Sequence, residues 1–472
     1  MSSLEAGLLQ PKATFPLEWL GSRLSPLSYS SRRHHSFLHQ WTCSKQEEVL
    51  VVVGGGAAGV FGAIRAKSLC PSLNVFVLEQ NQLLAKVKIS GGGRCNVTTA
   101  LYENPLLLAE QYPRGHKELR GSFFRSHGPM DTVSWFTERG VILKTEDDGR
   151  MFPASNTSST IVDCLLTEAH KLGVGLQTKV SVSKVLQSSD SKFDVCTGGT
   201  KFSSSSIKAD YLLLATGGTP KGFDLAKGLG HNVIDPRPSL FTFKVADSQL
   251  QELAGVSFPV VHAELQVKGQ KHKNPRLTQA GPMLITHWGL SGPVVLRLSA
   301  WGARDLFSAD YQGILWIDFE PKLSQEDLLG VLNAQRKYAS KKKLGSFAPS
   351  DLSLVRRFWE YLLLKVEIDP DKVWATLNTT AARKLAALIK HCPFHINGKG
   401  EFKDEFVTSG GVPLVEVDLN SMESRICPCL YLAGEVLNVD GVTGGFNFQN
   451  AWTGGFIAGT SIGLRSNENS MH

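Results

Sequence analysis

The chain sets short, wholly apolar runs directly against clusters of glycine, and only in its middle third do apolar and polar residues alternate. The first run, Val49 to Val53, leads straight into Gly54, Gly55 and Gly56 and then a small-residue stretch that ends before Pro71. An unbroken apolar run bounded by glycines predicts a strand covered on both faces, and the small residues after it predict a helix. A second run, Val75 to Leu78, ends in Glu79. Two more apolar runs end in the same way. Tyr211 to Ala215 meets Thr216, Gly217 and Gly218. Leu430 to Ala433 meets Gly434 and Glu435, ahead of a glycine turn at Gly444 and Gly445 that opens another small-residue helix. Between them, "FTFKV" (241–245), "VVHAELQVKG" (260–269) and "GILWIDFEP" (313–321) show the period of two expected of half-buried strands. "SQEDLLGVLNAQRKYA" (324–339) and "LSLVRRFWEYLLLKV" (352–366) carry helical spacing, with Ser324 placed to cap the first.

Gly54, Gly56 and Gly59 make a G-x-G-x-x-G turn, completed by Gly55, Ala57 and Ala58, and Glu79 lies twenty residues beyond Gly59. In this arrangement the first glycine turns the chain, the second lets a pyrophosphate approach, the third packs helix on strand, and the acid accepts from ribose hydroxyls. The pattern predicts a bound dinucleotide, and an acid at Glu79 disfavours a 2′-phosphate, leaving FAD or NAD. Three glycine-edged strand ends, far apart in the chain, predict one discontinuous domain converging on a single large ligand, which suits FAD. No second strand–glycine turn–helix unit of this type occurs, so NAD(P)H is expected only as a transient electron donor that visits the flavin.

Further motifs carry a family resemblance from about Val49 to Gly463. "KISGGGRCNVT" (88–98), "EDDGRMFPAS" (146–155), "ITHWGLSGPVVLRLS" (285–299), "VTSGGV" (407–412) and "AGEVLNVDGVTGGFNFQNAWTGG" (433–455) resemble, in order, the motifs of the BaiN/YhiN-type FAD/NAD(P)-binding flavoproteins. The resemblance implies an α/β fold with a glutathione-reductase-type, Rossmann-like FAD domain, discontinuous over 46–236 and 400–466. An insert of β-barrel and helices spans 237–399, and a short tail 467–472. It also implies cofactor contacts from Gln80, Lys86, Gly92, Gly93, Arg94, Asn96, Thr216, Gly217, Gly434, Glu435, Gly444, Gly445, Phe446 and Asn447, beside those of the first glycine turn and Glu79. Leu84 and Thr99 depart from the pattern, standing where the family has glycine and asparagine, and the loop after "ATGG" is shorter.

The chemistry the resemblance implies is NAD(P)H-driven reduction of an activated C=C bond, of a small enone or of uridine in ribosomal RNA, whose uracil carries such a bond. Hydride reaches one carbon while a donor polarises the conjugated carbonyl and an acid protonates the other carbon. Arg94, Cys95 and His287 are the catalytic candidates. Arg94 reads equally as a structural ion pair, His287 as a structural hydrogen bonder, and Cys95 as a packing residue. A redox disulfide at Cys95 is excluded locally, because Ala100 stands where a C-x-x-x-x-C partner belongs. The run "RKYASKKKLG" (336–345) is either a solvated helix face or a phosphate contact. The competing classes are a flavin oxidase or monooxygenase and a non-catalytic FAD-binding protein.

Length and composition add boundaries to this picture. A chain of 472 residues with 42% hydrophobic and 20% charged residues is expected to form two or three globular domains. A net charge of +7 permits an anionic partner without requiring one. The eight cysteines follow no disulfide framework, and the lone C-x-C at Cys427 and Cys429 is a weak metal signal, so no metal is expected. The last apolar segment, near Phe456 to Leu464, is broken by glycines, and no membrane partner is expected. The first 45 residues are rich in serine and basic residues and carry acids only at Glu5 and Glu18, the composition of a transit peptide, with a plastid destination expected before a mitochondrial one. Nothing in the sequence sets the oligomeric state.

Overall fold

The computed structural model describes residues 47–199, 202–270, 274–400 and 407–471; the expected transit segment lies outside them. Strand β1 (Val49–Val53) is buried through Leu50 to Val53, which is why it needs no polar alternation. It leads into helix α1 (Ala57–Leu69) and returns as β2 (Asn74–Glu79), parallel to β1 with Val53 opposite Leu78. Helix α2 (Ala85–Gly93) follows. Strand β3 (Tyr211–Leu214) pairs parallel to the other edge of β1, with Val53 opposite Leu214.

An antiparallel ribbon of Ile234–Ser239 with Val407–Gly411 then brackets the insert. Inside it, six strands between Phe243 and Lys399 close into a barrel. Helix α3 (Gln325–Tyr338) begins at Ser324, whose hydroxyl accepts from Asp327 N (3.1 Å) while Asp327 accepts from Ser324 N (3.0 Å), a reciprocal capping box. A second apolar core forms here around Phe258, Phe319, Phe358, Trp359 and Trp374. The chain then returns as β4 (Leu430–Leu432), parallel to β3, and finishes in helix α4 (Phe446–Met471). The residues from 467, expected as a tail, continue this helix as far as Met471.

The main sheet thus runs β4, β3, β1, β2 side by side, with Gly175–Thr178 beyond β2 and two short strands beyond β4. Helices α1 and α4 pack on each other through small residues. A Cβ added at Gly459 would collide with Gly62 O, one at Gly455 would meet Gly62 N at 3.2 Å, and one at Gly463 would lie 2.8 Å from Leu69 Cβ. Three glycines spaced four apart on α4 let its backbone settle directly onto α1, and this seam fixes where α1 begins. Among the described residues no helix is long and apolar enough to cross a membrane.

Candidate dinucleotide site

The turn after β1 is held by its neighbours on β2. Gly54 N donates to Leu78 O (2.9 Å), and Gly55 N donates to Glu79 Oε2 (2.9 Å), while Glu79 Oε1 accepts from Asn81 N (2.8 Å). Gly54 has φ +108, and a Cβ at Gly59 would run into Gly54 O, so the first and third glycines answer to backbone shape and packing. Gly56 is different: a Cβ there would meet nothing within 4 Å, no side chain caps α1, and no acid lies in its first turn. The open N–H groups and positive end of a 13-residue helix therefore face free space, which is the arrangement that receives a phosphate.

The ends of β3 and β4 arrive beside this turn. Lys86 Nζ pairs with Glu435 Oε2 at 2.8 Å, and Glu435 Oε1 accepts from Thr408 N at 2.7 Å. Gly217, at φ +65, has its open side 3.7 Å from Glu435 and 3.9 Å from Lys86. Residues from four distant segments therefore meet here. Thr408 and Ser409 escaped the candidate set, although "VTSGGV" held them. The hydroxyls of Thr216 and Ser409 and the Asn438 amide oxygen are buried without a hydrogen-bond partner among the described residues. Such atoms cost about 1–3 kcal/mol each when left unpaired, and Thr216 Oγ1 lies against Gly222, where an added Cβ would collide with it. The residues present fit FAD. The first glycine turn would hold its phosphates, Glu79 its ribose, and the Thr216 and Glu435 region the remainder.

The stretch Lys88 to Thr98 closes one side. Helix α2 breaks at Ser90, after which Gly91, Gly92 and Gly93 take φ of 57°, 69° and 84°. A Cβ at Gly91 would press on Phe152 (3.0 Å), but at Gly92 and Gly93 it would meet nothing within 4 Å. Left-handed backbone thus explains the last two glycines, and the Gly93 carbonyl accepts from Ser158 N (2.8 Å). Leu84, where the family pattern has glycine, holds φ 55 and carries its side chain into the core. Asn96, with its amide oriented by its neighbours, donates to Thr98 O (3.1 Å) and accepts from Gly445 N (2.9 Å), tying this loop to the turn before α4.

The catalytic candidates are dispersed. Arg94 Nη1 bonds Glu146 Oε1 (2.6 Å) and its guanidinium stacks over Phe152 (4.1 Å), joining "GGGRCN" to "EDDGRMF" as a structural ion pair would. Cys95, at φ 62, is enclosed by protein atoms alone, and burial pushes its thiol up to about 12, with Ser90 beside it. That placement favours packing over proton donation. His287 is exposed in the turn between two barrel strands, where Thr286 Oγ1 donates to Gly289 O (3.1 Å). Gln80 is exposed at the end of β2. The Phe446 ring is buried and its carbonyl accepts from Tyr112 Oη (2.7 Å), and the Asn447 side chain is spent on both backbone groups of Gly441 (2.8 and 2.9 Å). Behind the site, Gln449 Oε1 accepts from Thr98 (2.6 Å) and Thr132 (3.0 Å), and Thr132 meets His127 Nε2 (3.1 Å).

A parallel sheet whose glycine-edged strand ends meet an uncapped helix defines a Rossmann-like dinucleotide-binding protein. The model of the HI0933-like protein Rossmann domain matches residues 48–461, and the chain belongs to that family, whose fold is an FAD-binding one. It is 30% identical over 426 residues to the ribosomal RNA dihydrouridine synthase of Haemophilus influenzae, covering 87% of this chain and 98% of that protein. It is 27% identical over 427 residues to the 3-dehydro-bile acid delta(4,6)-reductase of Clostridium scindens, covering 88% and 98%. Among solved structures it resembles a 3-ketosteroid-delta4-(5alpha)-dehydrogenase of Rhodococcus jostii with TM-score 0.48 and 15% identity, over 89% of this chain and 98% of that one.

Proposed function

We propose that this protein is an FAD-dependent reductase that uses NAD(P)H to saturate the activated C=C bond of uridine in ribosomal RNA, giving dihydrouridine. One observation carries the cofactor assignment: the ends of β1, β3 and β4 lie side by side against the open N-terminus of α1, where a Cβ at Gly56 would meet nothing within 4 Å. Bound FAD supplies hydride exchange between NAD(P)H and substrate, and the overall step consumes one proton. The chain's own residues bind and orient. The α1 N–H groups take the phosphates, Glu79 braces the glycine turn, and the Lys86–Glu435 pair with Thr408 N fixes the strand ends. Asn96 fixes the turn before α4. Of the three catalytic candidates, His287 alone is exposed and forms no ion pair among the described residues. It is the proton donor proposed here, with Arg94 and Cys95 as supports of the loop.

The uridine substrate is favoured over an enone by the named activities of two relatives, in Haemophilus influenzae and Escherichia coli. Mass spectrometry of ribosomal RNA from a null line tests it: dihydrouridine is expected to disappear, and its full retention overturns the RNA substrate. His287→Ala is expected to slow substrate reduction at unchanged FAD content and an unchanged rate of flavin reduction by NAD(P)H. An unchanged rate of substrate reduction removes His287 from the mechanism.

A further inference from the structure

Between Asp327 and Asp351 the chain carries Arg336, Lys337, Lys341, Lys342 and Lys343 and no acid. Two of these cations are committed: Arg336 Nη1 donates to Leu377 O (3.0 Å), and Lys343 pairs with Asp371 (2.8 Å). Lys337, Lys341 and Lys342 are exposed and form no ion pair among the described residues. Beside them, Tyr338, the last residue of α3, is 82% exposed, and Phe347 is 38% exposed. Their rings stack with centroids 6.4 Å apart and planes 30° from parallel. A solvated helix end accounts for the lysines but gives no reason for two stacked rings in water.

The segment is also rigidly presented. Trp374 N donates to Lys342 O (3.0 Å), Ala375 N to Ser340 O (3.0 Å) and Leu344 N to Lys372 O (2.8 Å). Phe347 O accepts from the indole of buried Trp374 (2.9 Å) and from Gln335 Nε2 (3.3 Å). A basic, aromatic-bearing loop fixed by backbone bonds to the next turn loses little entropy when it binds. Ammonium groups track phosphates, and exposed ring faces stack unpaired bases.

We propose that this corner of the insert, Tyr338 and Phe347 with Lys337, Lys341 and Lys342, is a docking surface for a single-stranded segment of RNA. The inference rests on the RNA substrate reading above and assigns that substrate its anchoring site. The test measures binding of a labelled short oligouridine to the FAD-loaded protein as a function of salt, with wild type, the triple variant K337A/K341A/K342A, and Tyr338→Ala. Removing three lysines is expected to lower the slope of log K against log salt by about 2, at roughly 0.7 per phosphate contact. Tyr338→Ala is expected to weaken binding about tenfold with the slope unchanged, and Tyr338→Phe to restore it. If wild type binds and neither variant alters it, the surface is wrong while the substrate reading stands. If only the lysines matter and polyglutamate competes equally well, the site is a general anion surface and the stacking proposal fails. If wild type binds no RNA, the docking surface falls, and the null line's dihydrouridine content decides separately whether the substrate reading falls with it.

Discussion

His127 shows at the scale of one side chain how the buried network behind the site responds to protons. Thr132 donates its hydroxyl to Gln449, so His127 Nε2 must carry the hydrogen between them, and the imidazole stacks on Phe456 (4.5 Å). Burial pushes its pKa down to about 4, with Arg65 lowering it further against the opposing pull of Asp131. The native value lies below the unfolded value of about 6.5, so the unfolded chain takes up the extra proton. Stability is therefore present above about pH 6.5 and lost as the pH falls toward 4. From pH 7 to 5 this one group is expected to remove about 2 kcal/mol, seen as a fall in the denaturation midpoint that His127→Gln does not share. Cys95→Ser is expected to cost about 1–3 kcal/mol of stability, as a buried hydroxyl replaces a buried thiol. It should leave the oxidative half-reaction unchanged in stopped-flow, and a selectively slowed reaction would return Cys95 to the catalytic set. What the sequence made plain at this scale was local: Glu79 at a strand end, glycines at turns. Burial of Cys95 and engagement of Arg94 by Glu146 depend on segments some fifty residues apart, which no local pattern encodes.

Among the elements, β1 to β4 were legible because strands covered on both faces need unbroken apolar runs, and few other structures of that length do. The barrel strands announced themselves by alternation. The α1–α4 seam did not, although Gly455, Gly459 and Gly463 stand four apart, because glycine inside a helix costs roughly 1 kcal/mol relative to alanine and reads as an interruption. The structure supplies the reason for it: Gly459 sits on the backbone of Gly62, where a side chain has no room. Gly459→Val is expected to force the helices apart and destabilise the protein by about 1–3 kcal/mol or more. Because α1 presents the phosphate-binding N–H groups, its FAD affinity should fall as well. Calorimetry and flavin absorbance after gel filtration check both, and a variant with wild-type melting and full flavin would show that the seam is slack. Glu435→Gln, which weakens the pull on Lys86 but keeps an acceptor for Thr408 N, is expected to lower FAD retention with little change in melting of the apoprotein.

Among the described residues of the whole molecule, the nucleotide-binding half and the insert are fastened at a buried charged node. Arg114 forms a two-pronged pair with Asp440, which is fully buried, and also donates to Ala300 O (2.6 Å) on an insert helix and to Ser239 Oγ (3.1 Å) on the ribbon. Ser239 Oγ in turn donates to Asp440 (2.7 Å). Removing one partner leaves an uncompensated charge in the interior, so Asp440→Asn is expected to cost about 3–5 kcal/mol, while the double replacement R114M/D440L recovers much of that loss. Equilibrium unfolding of the three variants checks the order, and a double variant no better than the single one would mean that shape, not charge, holds the node. The seam between α1 and α4 has a last consequence, for the order in which the chain is made. Gly54 leaves the ribosome long before Gly463, and the helix it opens lacks its packing partner until Gly463 has emerged. A nascent chain can therefore acquire its flavin only after α4 has been made. Cofactor occupancy becomes a readout of whether α4 was translated and docked, and ribosomes stalled before residue 446 should release chains that carry none.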